Sequence, residues 1–306
     1  MTPKRPEAKL EEMTVLEIAQ KLKTRLLKDG YEYIQEDLDM ETAEKVKKGQ
    51  VPTTGEPQRP VLAVEQPLEP GANTVDGSPG QDPRQILGSD NRIYVGGSTN
   101  FPNSTQLWLQ GCGCGATMIG RRLAITAAHC LYNPDTYEWC DPSAWIAATN
   151  TAQTSPYPIP NVQVVGVPDG WIWDGDWSYD YAYGAFWNFP SELGDLTGWM
   201  GWWTGSSGNM EIVGYPADKP YPQMWAKSGE VTSAQSTRLK HNLDIVGGDS
   251  GSALYTQEGN HYIVGVQSTE DYSCWWFITW HCTYWNEATR FTSATQSFLD
   301  SSGYWY

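Results

Sequence analysis

The chain has 306 residues, 40% of them hydrophobic, enough to bury a large core in one or two domains. Thirty-six acidic against twenty basic residues leave a net charge of −16, which excludes nucleic-acid binding by phosphate neutralisation and repels acidic partners at long range in low salt. No apolar run is long enough to span a membrane, and residues 2–6, Thr-Pro-Lys-Arg-Pro, lead into a charged segment with no apolar core, so no signal peptide is visible.

The first 84 residues differ in texture from the rest. Over 11–29, Val15, Ile18, Ala19, Leu22, Leu26 and Leu27 recur at three- and four-residue intervals and Gly30 follows, which predicts an amphipathic helix. A second short helix is predicted over 40–48, stopped by Gly49. Residues 51–84 are rich in Pro, Gly, Thr and Gln without periodicity and predict a flexible linker. The organisation is therefore a helical module over 1–50, a linker over 51–84, and a larger domain over 85–306.

After residue 108 short apolar runs alternate with Gly, Pro, Asn and Asp turns, and most of the 16 Trp and 17 Tyr lie there. Aromatic residues suit half-buried pleated surfaces, so the domain is predicted to be all-β. Trp199 to Trp203 with Trp275, Trp276 and Trp280 keep open a carbohydrate-binding surface. The six cysteines all fall between 112 and 282, an even number that implies disulfides and an oxidising compartment. Cys112-Gly113-Cys114 lacks the two-residue gap and the second ligand pair of a zinc site, so no metal is expected.

Two segments carry chemistry: Thr126-Ala127-Ala128-His129-Cys130 and, downstream, Gly247-Gly248-Asp249-Ser250-Gly251-Ser252. A hydroxyl is a weak nucleophile at neutral pH. It needs a base within hydrogen-bond reach, a carboxylate to orient that base, and backbone amides aimed at the developing oxyanion. Ser250 and His129 supply the first two parts, and the glycines around Ser250 let its backbone turn tightly beside a substrate carbonyl. His241, His261 and His281 lack such a context or a metal-ligand spacing and are assigned no chemistry.

With Ile86-Leu87-Gly88-Ser89-Asp90-Asn91-Arg92 and Asn286-Glu287-Ala288-Thr289-Arg290, these motifs make the chain from about Gln85 onward resemble the trypsin-like serine proteases, and within them the bacterial branch that contains the glutamyl endopeptidases. The resemblance implies two six-stranded antiparallel β-barrels, preceded here by a helical pro-segment and linker. It implies a His–Asp–Ser order. The family's Asp directly precedes a short apolar strand, which selects Asp180, before Tyr-Ala-Tyr-Gly-Ala-Phe, over Asp174 and Asp176. Ser250 would attack a peptide bond to form an acyl-enzyme, His129 would act as base and then acid, and the amides of Gly248 and Ser250 would form the oxyanion hole. A secreted monomer acting on peptide or protein substrates, with no cofactor, follows from the same likeness. The runner-up is a catalytically silent, protease-shaped binding module using its Trp-rich loops, against which intact Ser250 and His129 argue.

The likeness also implies a disulfide Cys114–Cys130 closing the loop that carries the base. Cys274 and Cys282 are expected to close the Trp-rich loop between them, which leaves Cys112 for Cys140, among fifteen possible pairings. Glutamyl endopeptidases hold the substrate carboxylate with a His on the strand after the nucleophile and a Thr five residues before it. Gln267 and Ile245 stand there instead, which predicts that cleavage after Glu is not dominant. Asp244 occupies the place of the trypsin-like pocket carboxylate, so the candidate pocket is Asp244, Gln267 and Ser268. In trypsin-like proteases a freshly cut amino terminus pairs with an Asp directly before the nucleophile, where the glutamyl branch typically has Asn. Asp249, together with Arg84, Gln85 and Ile86 at the linker's end, predicts a zymogen cut after Arg84 or Gln85. A buried Asp249 would need a cation or several hydrogen-bond donors.

Overall fold

The computed structural model describes residues 86–87, 89–140, 142, 144–151, 155–187, 191–277 and 279–304, with the backbone alone for 272–283. The helices and linker predicted over 1–84, with Arg84 and Gln85, lie outside the described residues.

A two-residue strand β1 (Ile93–Tyr94) is followed by β2 (Gln106–Gln110), β3 (Cys114–Met118), β4 (Leu123–Thr126), a small ribbon of β5 (Tyr132–Asn133) and β6 (Glu138–Trp139), then β7 (Ala144–Ala147), β8 (Asn161–Gly166) and β9 (Ala182–Trp187). Six of these form one antiparallel sheet in the order β7-β2-β3-β4-β9-β8, curled into a half-barrel. Its interior is filled by Leu107, Leu109, Ile125, Phe186 and the wholly buried Trp145. The Trp145 and Phe186 rings meet edge-on with centroids 5.2 Å apart, a geometry worth about 0.5–1.5 kcal/mol beyond the area it buries.

The second unit comprises β10 (Asn209–Gly214), β11 (Trp225–Ala234), β12 (Arg238–His241), β13 (Ala253–Thr256), β14 (Ile263–Phe277) and β15 (Thr279–Arg290). Its order β11-β10-β13-β14-β15-β12 closes because β11 pairs with β10 through its first half and with β12 through its second, the switch falling at a register shift between Val231 and Ser233. Bulges bend a strand in this way, and closure removes the sheet's free edges. Met210, Ile212, Leu239, Leu243, Ile245, Leu254 and Val264 fill this barrel. Two antiparallel six-stranded units, the second closed, thus match the predicted all-β architecture.

The two units meet where β3 passes the loop before β13. Every residue of β3 is buried, and a side chain on Gly115 would come within 2.3 Å of Ser252 Oγ, so only glycine allows the approach. Gly115 N donates to the Ser250 carbonyl at 2.8 Å and Ala253 N to Thr117 Oγ1 at 3.2 Å. Short helices α1 (Asp169–Asp174) and α2 (Leu193–Thr197) lie in connections, and α3 (Ser293–Asp300) ends the described chain, started by reciprocal capping between Thr292 and Thr295.

Two predicted disulfides are present, Cys112–Cys140 and Cys114–Cys130. Cys274 and Cys282 stand directly opposite in the β14–β15 hairpin; their side chains lie outside those described. The predicted Trp-rich loop between them is therefore strand rather than coil.

Candidate active site

His129 sits in a single 3₁₀ turn, Ala128–Cys130, immediately after β4, and Cys130 ties that turn to β3 through Cys114. Asp180 closes another 3₁₀ turn, Trp177–Tyr179, just before β9. Because β4 and β9 pair with Thr126 opposite Ala182, the two turns emerge side by side at one end of the sheet. His129 Nδ1 lies 2.8 Å from Asp180 Oδ2, and the His129 amide donates to Oδ1 at 2.8 Å. Asp180 is wholly buried, whereas the imidazole is about a quarter exposed. Burial opposes the imidazolium, but the Asp180 carboxylate outweighs it and raises the His129 pKa above its ordinary value. Asp180 is itself lowered: burial pushes it up, while His129 and the hydrogen bonds from His129 and Ser268 hold it down.

The rival carboxylates have other tasks. Asp176 caps the 3₁₀ turn by accepting from Ser178 N at 2.8 Å, and Asp174 ends α1. Trp171 and Trp177 flank the imidazole with ring centroids 6.4 and 6.1 Å away. Neither was singled out from the sequence, although Trp177 stands in the turn that delivers Asp180.

Ser250 is half-buried on the loop between β12 and β13. Gly248 has φ +103°, and a side chain there would meet the Tyr215 carbonyl at 2.4 Å. A side chain on Gly251 would strike Thr126 Oγ1 at 2.2 Å and approach Ala127 N at 3.2 Å, which places the Ser250 loop against the chain leading to His129. No hydrogen bond joins Ser250 Oγ to His129 in this structure; His129 Nε2 instead lies 3.8 Å from Cys130 Sγ. Such contacts tighten when substrate binds. Among the described residues nothing takes the amide hydrogens of Gly248 or Ser250, the pair predicted to face an oxyanion.

Three residues expected to line the substrate pocket are occupied otherwise. Asp244 accepts from Leu87 N at 2.8 Å and Asn91 N at 3.2 Å, so its carboxylate anchors the incoming segment. Gln267 is buried in the second barrel, with Oε1 2.8 Å from His241 Nε2 and Nε2 donating to the Thr269 carbonyl at 3.3 Å. Burial pulls the His241 pKa down to about 4, which keeps that partner neutral. Ser268 Oγ donates to Asp180 Oδ2 at 2.5 Å, and Arg238 donates to the same hydroxyl at 2.8 Å. Position along the chain identifies which strand a residue is on, not which neighbours engage its polar atoms.

Ile86 is half-buried. Asp249 is fully buried, as a site for a cation requires, but the cation is the Lys227 ammonium from β11, not an amino terminus. A lysine in the middle of a strand gave no signal of this role, since its partner is 22 positions away.

No protein-family model matches the chain. It is 26% identical over 216 residues to an extracellular metalloprotease of Bacillus subtilis strain 168, covering 62% of this chain and 67% of that protein. Over 183 residues it is 28% identical to a glutamyl endopeptidase of Bacillus licheniformis, covering 58% of this chain and 56% of the relative, little more than half its length. A solved Glu endopeptidase in complex with MPD superimposes with a TM-score of 0.61 at 25% identity, covering 71% of this chain and 98% of that one. A thermostable serine protease from an extremophilic microorganism shares the fold, with a TM-score of 0.52 at 16% identity over 66% of this chain and 98% of its own.

The architecture is thus that of a trypsin-like serine-type endopeptidase of the chymotrypsin class. Within that class the chain is similar to the glutamyl endopeptidases, the V8-like bacterial branch.

The first relative's name implies a metal. Cys114, His129 and Cys130 offer ligand atoms within 4.8 Å of one another, but the two sulfurs are bonded to each other. No thiolate is left to coordinate, so these residues do not fit a metal. Among the described residues no helix is long and apolar enough to cross a membrane.

Proposed function

We propose that the chain hydrolyses peptide bonds through an acyl-enzyme, with Ser250 as nucleophile, His129 as base and then acid, Asp180 as its orienting carboxylate, and the amides of Gly248 and Ser250 as oxyanion donors. The observation that carries this reading is the double hold of Asp180 on His129, through Nδ1 and through the amide, on a turn packed beside the Ser250 loop. Nδ1 donating to a buried carboxylate leaves Nε2 unprotonated and able to accept the Ser250 proton. Labelling of Ser250 by a fluorophosphonate, together with hydrolysis of a protein substrate that vanishes in Ser250→Ala, tests it. A wild type that stays inert after cutting near Arg84 would favour the protease-shaped binding module.

Specificity differs from that of the glutamyl relatives. At the two positions where those enzymes hold the substrate carboxylate, Ile245 is in the barrel core and the Gln267 amide is engaged by His241 and Thr269. Dominant cleavage after Glu in a peptide library would overturn this. The two disulfides and the extracellular relative support a secreted enzyme. Processing after Arg84 or Gln85 would activate it by removing the helical leading segment. Amino-terminal sequencing of active material tests that cut, and full protease activity of the uncut chain would exclude it.

A further inference from the structure

Lys227 and Asp249 form an ion pair in which both side chains are wholly inaccessible. Lysine is almost never fully buried unless paired. This one stands on β11 opposite Ile212 of β10, and its ammonium also donates to the Trp225 carbonyl at 3.2 Å. The pair sits under Gly214, where a side chain would come within 2.7 Å of Asp249 Oδ1 and 3.4 Å of Lys227 Nζ. Burial alone pushes Asp249 up and Lys227 down in pKa, and each charge opposes the other's shift.

Asp249 is the hub of the loop that carries the nucleophile. Its Oδ2 accepts from Val246 N at 3.1 Å, its amide donates to the Val246 carbonyl at 3.0 Å, and its own carbonyl accepts from Ser252 N at 3.1 Å. A trans peptide directs its C=O and N–H to opposite sides. With the Asp249 carbonyl turned toward Ser252, the Ser250 N–H must face away from that bond. The Gly247 carbonyl accepts from Ala217 N at 2.8 Å, which turns the Gly248 N–H away from Ala217 in the same manner. Whatever fixes the Asp249 carboxylate therefore fixes the Ser250 amide and restrains the short segment that carries the Gly248 amide.

We propose that Lys227 is a positioning residue that holds the Gly248 and Ser250 amides in their working orientation, so that the oxyanion site is set by a cation built into the second barrel and not by a newly cut amino terminus. This rests on the endopeptidase reading above. Cleavage near Arg84 then uncovers a site that is already assembled.

The test uses the full chain, cut near Arg84 except where stated. First, Ser250-dependent hydrolysis and fluorophosphonate uptake are established for the cut wild type; their absence there would sink the endopeptidase reading and this inference with it. Lys227→Met is then expected to lower kcat by about 10²–10³-fold, the cost of losing one oxyanion donor, with KM changed by less than about threefold. Lys227→Met/Asp249→Asn should regain about tenfold or more, because no uncompensated carboxylate is left beside the loop. An active wild type whose folded Lys227→Met variant keeps kcat within about threefold overturns the proposal alone. A second arm holds even if Lys227→Met fails to fold: Ser250 in uncut and cut wild-type chains should take up the small fluorophosphonate at rates within about threefold. Uptake more than about a hundredfold slower before cutting, with the gain lost in Asp249→Asn, shows that a new terminus does the positioning and overturns it.

Discussion

Ser268 Oγ and His129 Nδ1 share one oxygen, Asp180 Oδ2, at 2.5 and 2.8 Å. Ser268 stands on β14 of the second barrel, whereas Asp180 and His129 come from the first. The orientation of the imidazole is thus set by contacts across the junction, and the relay continues to Arg238, which donates to Ser268 Oγ, the Trp177 carbonyl and Thr289 Oγ1.

Removing the shared hydroxyl should be felt in both stability and rate. A hydrogen bond to a charged group contributes about 1.5–3 kcal/mol, and Ser268→Ala leaves Asp180 with one donor fewer in a buried setting. Thermal unfolding should show a lower Tm, and kcat should fall about tenfold as the imidazole loosens, an estimate of one such bond's partial loss. A variant with unchanged Tm and kcat would show that His129 alone fixes the carboxylate.

Asp180→Asn should lower kcat by about 10⁴ with the fold intact, since the asparagine amide favours the wrong imidazole tautomer. The pH profile gives a second readout. His129 must be neutral to accept a proton, and its pKa is raised above 6.5 by the Asp180 carboxylate. Activity should therefore fall, as pH falls, through a midpoint above 6.5, and the residual activity of Asp180→Asn should show that midpoint at lower pH. A midpoint that stays put contradicts the coupling.

The Cys114–Cys130 bridge spans 16 positions and ties the His129 turn to β3. Replacing both cysteines by alanine should cost about 2–4 kcal/mol of stability, by removing the constraint on the unfolded chain. Denaturant unfolding of the variant, with kcat measured alongside, checks this. A midpoint unchanged from wild type would mean that packing of β3 and β4 alone holds the turn.

Asp244→Ala should leave residue preference in a peptide library unchanged while loosening the segment around Leu87 and Asn91. Its carboxylate is engaged by those two amides, which pull its pKa down, but burial outweighs them and raises it above the ordinary value. Faster proteolysis near residue 90 would report the loosening. Loss of cleavage after Arg or Lys in the variant would restore Asp244 to the pocket.

The sequence by itself determined which residues are the nucleophile and base candidates, because Ala-Ala-His-Cys and Gly-Gly-Asp-Ser-Gly-Ser are local patterns whose glycines and spacing are properties of a few adjacent residues. It also determined the all-β class, through short apolar runs broken by turn residues; Asp180 was selected by the resemblance to the trypsin-like proteases, whose Asp precedes a short apolar strand as this one does. Tertiary structure decided the partners. A buried Asp249 needs a cation or several hydrogen-bond donors; that it is buried, and that Lys227 supplies the cation, depends on β11 passing beneath the loop. Asp244, Gln267 and Ser268 stand on the expected segments, yet their polar atoms are taken by Leu87 and Asn91, by His241 and Thr269, and by Asp180. A buried polar group must be satisfied by whatever donors the packed barrels bring within about 3 Å, and that neighbourhood is fixed only when strands distant in the chain come together.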